Sequence, residues 1–149
     1  MLVVESASRA CPCCTGLVPF RVALTRLLRR LAVAPARLLL IEGGAEGHAA
    51  PLKAALGRLP FTQWIAPALT VAVIDLPAFA FAGTLALERL GDLAACADLL
   101  VANKGDLADD AARARFESFA RASNAGIPRI HAIHGAVEAA RLRDARPCA

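Results

Sequence analysis

Ala97-Asp98-Leu99-Leu100-Val101-Ala102-Asn103-Lys104-Gly105-Asp106-Leu107 is the stretch on which the reading of the fold turns. From Leu99 to Ala102 the apolar residues run without alternation, the pattern of a strand covered on both faces. Asn103, Gly105 and Asp106 are turn formers, so the strand ends there and the chain reverses direction. Downstream, Ala108 to Ala122 places Phe116 and Phe119 on one helical face, and Arg129 to Ile133 reads as another strand. Upstream, Leu69 to Asp75, Arg37 to Glu42 and Leu2 to Glu5 are further short apolar runs. Leu17 to Leu31 sets Leu24, Leu27, Leu28 and Leu31 at helical spacing with arginines opposite. The residues after Val137 read as one more helix, fraying into the tail. Strands alternating with longer amphipathic segments predict an α/β fold of three layers with a mostly parallel sheet. The short connections after Glu42 and Ala102 then fall at the carboxyl edge of that sheet, where open α/β folds bind ligands.

Composition narrows the classes. The chain has 149 residues, which is one domain's worth, and its 57% hydrophobic and 20% charged content excludes a disordered polymer. Only Lys53 and Lys104 are lysines among 17 basic residues. The net charge is +4, but aromatics are 5%, tyrosine is absent and no basic run exceeds Arg29-Arg30, which argues against a nucleic-acid partner. Mean hydropathy is +0.51, and Trp64 to Leu87 is long enough to cross a bilayer. Asp75 at its centre would cost roughly 2.5 to 3.5 kcal/mol in lipid, and Pro67 and Pro77 break a helix, so a buried strand, a turn and a helix fit better. No charged stretch followed by an apolar signal core opens the chain, and five cysteines are an odd number for a disulfide framework. Both point to a reducing, cytoplasmic setting.

Three of those cysteines, Cys11, Cys13 and Cys14, fall within four residues, between an expected strand and an expected helix. Thiolates at these positions can converge on one tetrahedral ion, with bonds of roughly 2.3 Å for zinc. Pro12 stiffens the loop, and a helix start favours thiolate over thiol. A fourth ligand position remains for water or for a side chain such as Glu46 or His48. Two other readings stand beside this one. Cys11 and Cys14 form a C-x-x-C pair, the arrangement of a thiol-disulfide oxidoreductase, or the small thiols fill a tight turn. Cys96 reads as a core residue and Cys148 as a tail thiol.

Asn103-Lys104-Gly105-Asp106 matches the N-K-x-D with which guanine-specific NTPases read their base. A carboxylate at Asp106 can accept from both N1–H and the 2-amino group of guanine, a donor pair adenine lacks. Lys104 would lay its stem along the base and Asn103 would brace the loop. The alternative is a plain turn in which Asp106 caps the next helix. A lysine in a chain that otherwise uses arginine tilts the balance towards the base-reading motif. Glu42, ending Leu38 to Ile41, stands where a Walker-B-type acid would hold a magnesium-bound water, and His48 a few residues on reads first as a surface or capping residue. No Gly-Lys dipeptide occurs in these 149 residues, so the G-x-x-x-x-G-K-[ST] phosphate cradle has no match.

Together these residues resemble the CobW-type branch of the CobW/HypB/UreG GTPase family, from Val4 to about Val137. The resemblance rests on the C-x-C-C of Cys11 to Cys14 with Thr15, on Leu38-Leu39-Leu40-Ile41-Glu42 before a glycine-rich turn, on Thr70-Val71-Ala72-Val73-Ile74-Asp75, and on Ala97 to Leu107. Ala132-Ile133-His134-Gly135 is similar to the family's last nucleotide-site loop. Such proteins couple guanine-nucleotide state to delivery of zinc or cobalt into a client metalloprotein, on a P-loop-NTPase-like fold. The resemblance implies Cys11, Cys13 and Cys14 as ligands for Zn²⁺ or Co²⁺. It also implies Glu42 as the magnesium-side acid and Asn103, Lys104 and Asp106 as guanine readers.

The sequence departs from that family in its phosphate grip. Members carry a P-loop strand and helix before the cysteines and a separate C-terminal domain after this region. Residues 1–149 are therefore expected to form a single partial domain missing its first βα unit. Ala45 stands where the family's E-x-x-G has its glycine. The expected activity is a hydrolysis-deficient, CobW-like metal chaperone in which GTP binding is weak or absent and Mg²⁺ enters only with GTP. A full GTPase completed by another chain is the enzymatic alternative. With no neighbouring P-loop strand, Leu38 to Ile41 would form an open sheet edge, which predicts self-association.

Overall fold

The structure is a computed structural model and describes residues 16–31, 38–43, 48–66 and 69–145. The expected strand Leu2 to Glu5, the cysteines Cys11, Cys13, Cys14 and Cys148, and Ala45 and Glu46 lie outside the described residues. Two compact units divide the chain, Met1–Pro67 and Ala68–Ala149.

In the first unit, helix α1 spans Leu17–Leu31, as the leucine spacing predicts. Leu24, Leu27 and Leu28 form its buried stripe and meet Phe61, with Phe20, Leu31, Leu39, Leu56 and Ile65 around them. The Arg21 guanidinium lies 5.9 Å from the centre of the Phe61 ring. Helix α2, Ala49–Leu56, buries no residue fully, and His48 at its N-cap makes no side-chain capping bond.

The expected strand at Arg37 to Glu42 does not form: residues 38–43 adopt no strand. An apolar run becomes a strand only where a neighbour takes its backbone N–H and C=O groups, and among the described residues nothing pairs with it. Leu39 packs into the α1 cluster instead, leaving Leu38 70% and Leu40 83% exposed. The sheet edge on which the expectation of self-association rested is accordingly not built from these residues.

The second unit is built on three parallel strands in the order β1 (Val71–Asp75), β2 (Leu99–Asn103) and β3 (Arg129–His131). Val71 pairs with Leu99 and Asp75 with Asn103, while Leu100 pairs with Arg129 and Ala102 with His131. Helices α3 (Leu76–Ala80) and α4 (Thr84–Cys96) cross from β1 to β2, and α5 (Asp110–Ser123) crosses from β2 to β3. Helix α6 (Ala139–Asp144) follows, as expected for the residues after Val137.

Strand β2 is buried on both faces, as its unbroken apolar run predicts. Leu100 and Ala102 face Phe79, Ala94, Phe116 and Ala120 on one side, and Leu99 and Val101 face Ala132 and Ala145 on the other. Strand β1 departs from the same expectation. Ala72 and Ile74 are buried, whereas Val73 on the opposite face is 58% exposed.

Local polar chemistry fixes where these elements begin and end. Asp98, 2% exposed, accepts from the Thr70 amide at 2.7 Å, while its own amide donates to the Thr70 carbonyl at 2.8 Å. Asp75 caps α3 by accepting from the Ala78 amide at 3.1 Å. At the other end of α3, the Arg115 guanidinium donates to the carbonyls of Phe79, Ala80 and Ala82 and lies over the Phe79 ring. These carbonyls lie at the end of α3 and just beyond it, where helical pairing of carbonyls runs out. Glu117 on α5 pairs with Arg129 at 3.0 Å and lies 3.1 Å from His131, fastening β3 to the helix.

No helix among the described residues is long and apolar enough to cross a membrane. The described part of Trp64 to Leu87 holds β1, α3 and the start of α4, the strand and helix expected of it.

Candidate functional site

Parallel register brings three chain segments level at the carboxyl edge of the second unit's sheet. Asp75 ends β1 directly beside Asn103, which ends β2. The β2–β3 ladder continues one step further, since the Ala132 amide donates to the Ala102 carbonyl at 2.8 Å. Ile133 to Ala136 then reverse the chain, with the Ala136 amide donating to the Ile133 carbonyl at 2.9 Å. His134 (φ 52°) and Gly135 (φ 70°) both take left-handed backbone at its centre.

Each residue of Asn103-Lys104-Gly105-Asp106 has a distinct place. Asn103 Oδ1 accepts from the Gly135 amide at 2.9 Å and so joins the two loops. Gly105 approaches β3 closely: its amide donates to the Ala132 carbonyl at 3.0 Å, and a Cβ there would stand 3.4 Å from that same oxygen. Its carbonyl in turn accepts from Arg113 at 2.7 Å. Lys104 adopts left-handed backbone, φ 58° and ψ 40°, which costs a residue with a side chain of order 1 to 3 kcal/mol and persists only where its surroundings hold it. The two neighbours just described supply that hold. Lys104 Nζ donates to Asp75 Oδ2 at 2.5 Å.

Asp106 lies in a 3₁₀ turn, Gly105–Leu107, and is exposed. It does not cap the following helix. Asp109 does so, accepting from the Ala112 amide at 2.7 Å, and α5 starts at Asp110. The plain-turn reading gave Asp106 that capping role, and the structure gives it to another residue. The Asp106 carboxylate has no side-chain partner among the described residues, which leaves its acceptors available to an N–H pair from a ligand. That donor–acceptor match is the sense in which the residues present fit a guanine base.

Electrostatics at this rim centre on Asp75. The Lys104 ammonium, with the Ala78 amide assisting and burial opposing, holds the Asp75 carboxyl below its ordinary value of 3.8. A depressed folded value means that the pair stabilises fully above the ordinary carboxylate value and is lost as pH falls through the lower, folded one. With the side chains 49% and 39% exposed, screening limits this contribution to below about 1 kcal/mol. The stability difference between wild type and Asp75→Asn should therefore shrink on acidification below pH 4 and in high salt. A difference that widened under either condition would contradict the assignment.

Among the residues the sequence singles out, Asn103, Lys104 and Asp106 are brought together. Glu42 belongs to the first unit, exposed and at the end of a segment that is not a strand, so its expected place at the tip of a buried strand is corrected. The described residues contain no group of three or more His, Cys, Asp or Glu side chains placed to hold a metal. Sequence reasoning missed Asp75 as part of the rim, although an aspartate closing an apolar strand was an available signal; Gly135 lies in the Ala132-Ile133-His134-Gly135 stretch already noted for its likeness to a nucleotide-site loop.

Parallel strands with crossing helices, and an Asn-Lys-Gly-Asp loop braced at their carboxyl ends, define a domain of the P-loop NTPase fold. The chain belongs to the CobW/HypB/UreG nucleotide-binding domain family, whose sequence model matches residues 4–131. It is 29% identical over 128 residues to the zinc chaperone YeiR of Escherichia coli (strain K12), a match that covers 86% of this chain and 38% of that protein. The chain thus spans well under half the length of that relative. No solved structure matches it.

Proposed function

We propose that this chain is a partial CobW-type metallochaperone domain that recognises a guanine base at Asn103, Lys104 and Asp106 and carries Zn²⁺ on Cys11, Cys13 and Cys14 towards a client metalloprotein. The observation that carries the nucleotide half is the Asp106 carboxylate, exposed and without a side-chain partner among the described residues while Asp109 performs the helix cap. The cysteine half rests on the C-x-C-C spacing and on likeness to a protein named as a zinc chaperone. Cobalt is the runner-up metal, since the same thiolates accept it.

Hydrolysis by residues 1–149 alone is not part of the proposal. Phosphoryl transfer depends on backbone amides and a lysine around the β- and γ-phosphates, and these residues contain no Gly-Lys dipeptide to supply them.

Zinc titration of the reduced full chain against a competing chelator tests the metal half. One ion per chain is expected. Apparent zinc binding of about 10 to 16 kcal/mol shared over four ligands puts roughly 3 kcal/mol on each, so Cys13→Ser should weaken uptake by about 100-fold. Unchanged affinity in that variant, or a reversible Cys11–Cys14 disulfide with no zinc uptake, would overturn it.

A further inference from the structure

The Asp75–Lys104 pair joins two strands 29 positions apart in sequence, and its place in the site asks for a reason other than stability, because a half-exposed ion pair contributes little to folding. Lys104 is set in left-handed backbone by the loop's bonds to β3 and to Gly135. Backbone geometry alone leaves a four-carbon side chain free to sample many rotamers. A site that uses the stem of that lysine against the face of a base would have to order it on binding, at an entropic cost. Asp75 removes that freedom beforehand. Its Oδ1 is fixed by the Ala78 amide, its Oδ2 receives the Lys104 ammonium, and its backbone is level with Asn103 in the sheet.

We propose that Asp75 is a positioning residue for nucleobase binding, holding the Lys104 side chain in place across the strand ends before the base arrives. The inference rests on the guanine-site reading above and adds to it a residue outside the Asn-Lys-Gly-Asp motif. Asp75 acts through Lys104, so its effect should be blind to the edge of the base. Guanine and hypoxanthine share a ring face but differ in the 2-amino group, which Asp106 alone would read.

The test is titration of the isotope-labelled full chain with GDP and with IDP, followed by amide shifts around Asn103 to Gly135. Asp75→Asn keeps an acceptor for the Ala78 amide, so the α3 start survives, and thermal melting checks this. Expected is a five- to tenfold loss of affinity for both nucleotides with their ratio unchanged. Asp75→Glu should recover part of the loss. In a Lys104→Met background, Asp75→Asn should add nothing, since coupled residues give non-additive effects. Asp106→Ala should instead collapse the ratio.

Wild-type affinities retained within twofold in Asp75→Asn, alongside a collapsed ratio in Asp106→Ala, would overturn the positioning role and leave the guanine site standing. A wild-type chain that binds neither nucleotide would overturn both.

Discussion

Replacing Phe116 by alanine should destabilise the second unit by about 3 to 5 kcal/mol, the usual cost of emptying a buried aromatic position. Phe116 is 0% exposed and is the largest fully buried side chain that α5 contributes to the core. It meets Phe79 of α3 edge-on at 6.1 Å and the His131 ring of β3 at 5.8 Å. One truncation therefore loosens α5 from α3 and from the last strand at once. Since domains of this size have total stabilities of about 5 to 15 kcal/mol, much of the population should unfold near body temperature. Denaturant titration followed by far-UV circular dichroism measures this. Phe119→Ala, at a position only partly buried and 5.2 Å from Phe79, should cost clearly less. A loss below about 1.5 kcal/mol for Phe116→Ala would mean that the three elements are not held by that ring.

The second large effect is on recognition rather than stability. Asp106→Ala should leave unfolding free energy within about 0.5 kcal/mol, because an exposed side chain that caps nothing has little to lose. Guanine-nucleotide affinity should nevertheless fall by 100-fold or more, given about 1.5 to 3 kcal/mol for each of two hydrogen bonds to a charged acceptor. Preference over adenine nucleotides should vanish with it. Asp109→Ala is the matched control three positions on. Loss of the bond to the Ala112 amide should lower stability by about 1 kcal/mol and leave base preference alone. Reversal of the two phenotypes would make Asp106 the structural residue and dissolve the nucleotide half of the proposed function.

Much of the fold was legible because burial and periodicity are local. The bounds of α1 follow from its leucine stripe, and β2 follows from four apolar residues closed by a turn motif. Leu38 to Ile41 has the same apolar character as β2 and forms no strand, since a strand is a property of a pair and composition reports only one member. The bounds of β3 were overdrawn for a related reason: Ala132 and Ile133 are apolar, but they lead into a turn whose geometry is set by His134 and Gly135.

At the site, the Asn-Lys-Gly-Asp loop was readable as a motif, whereas the choice of capping residue was not. Asp106, Asp109 and Asp110 cluster where a helix is expected to begin, and only its actual start at Asp110 makes Asp109 the cap. Asp75 was first weighed as a charge that a membrane would reject. Its bond to Lys104 depends on strand register, which no local pattern encodes.

One consequence follows from Arg115. By gripping the carbonyls that end α3, it clasps the far end of a helix whose near end is Asp75, and it does so from α5, whose first turn comes directly after the Asn-Lys-Gly-Asp loop. The loop therefore sits inside a closed bracket with both arms bolted together away from the opening. A ligand arriving at the rim meets a backbone that can shift only by dragging two helices, so adjustment there should be confined to side chains.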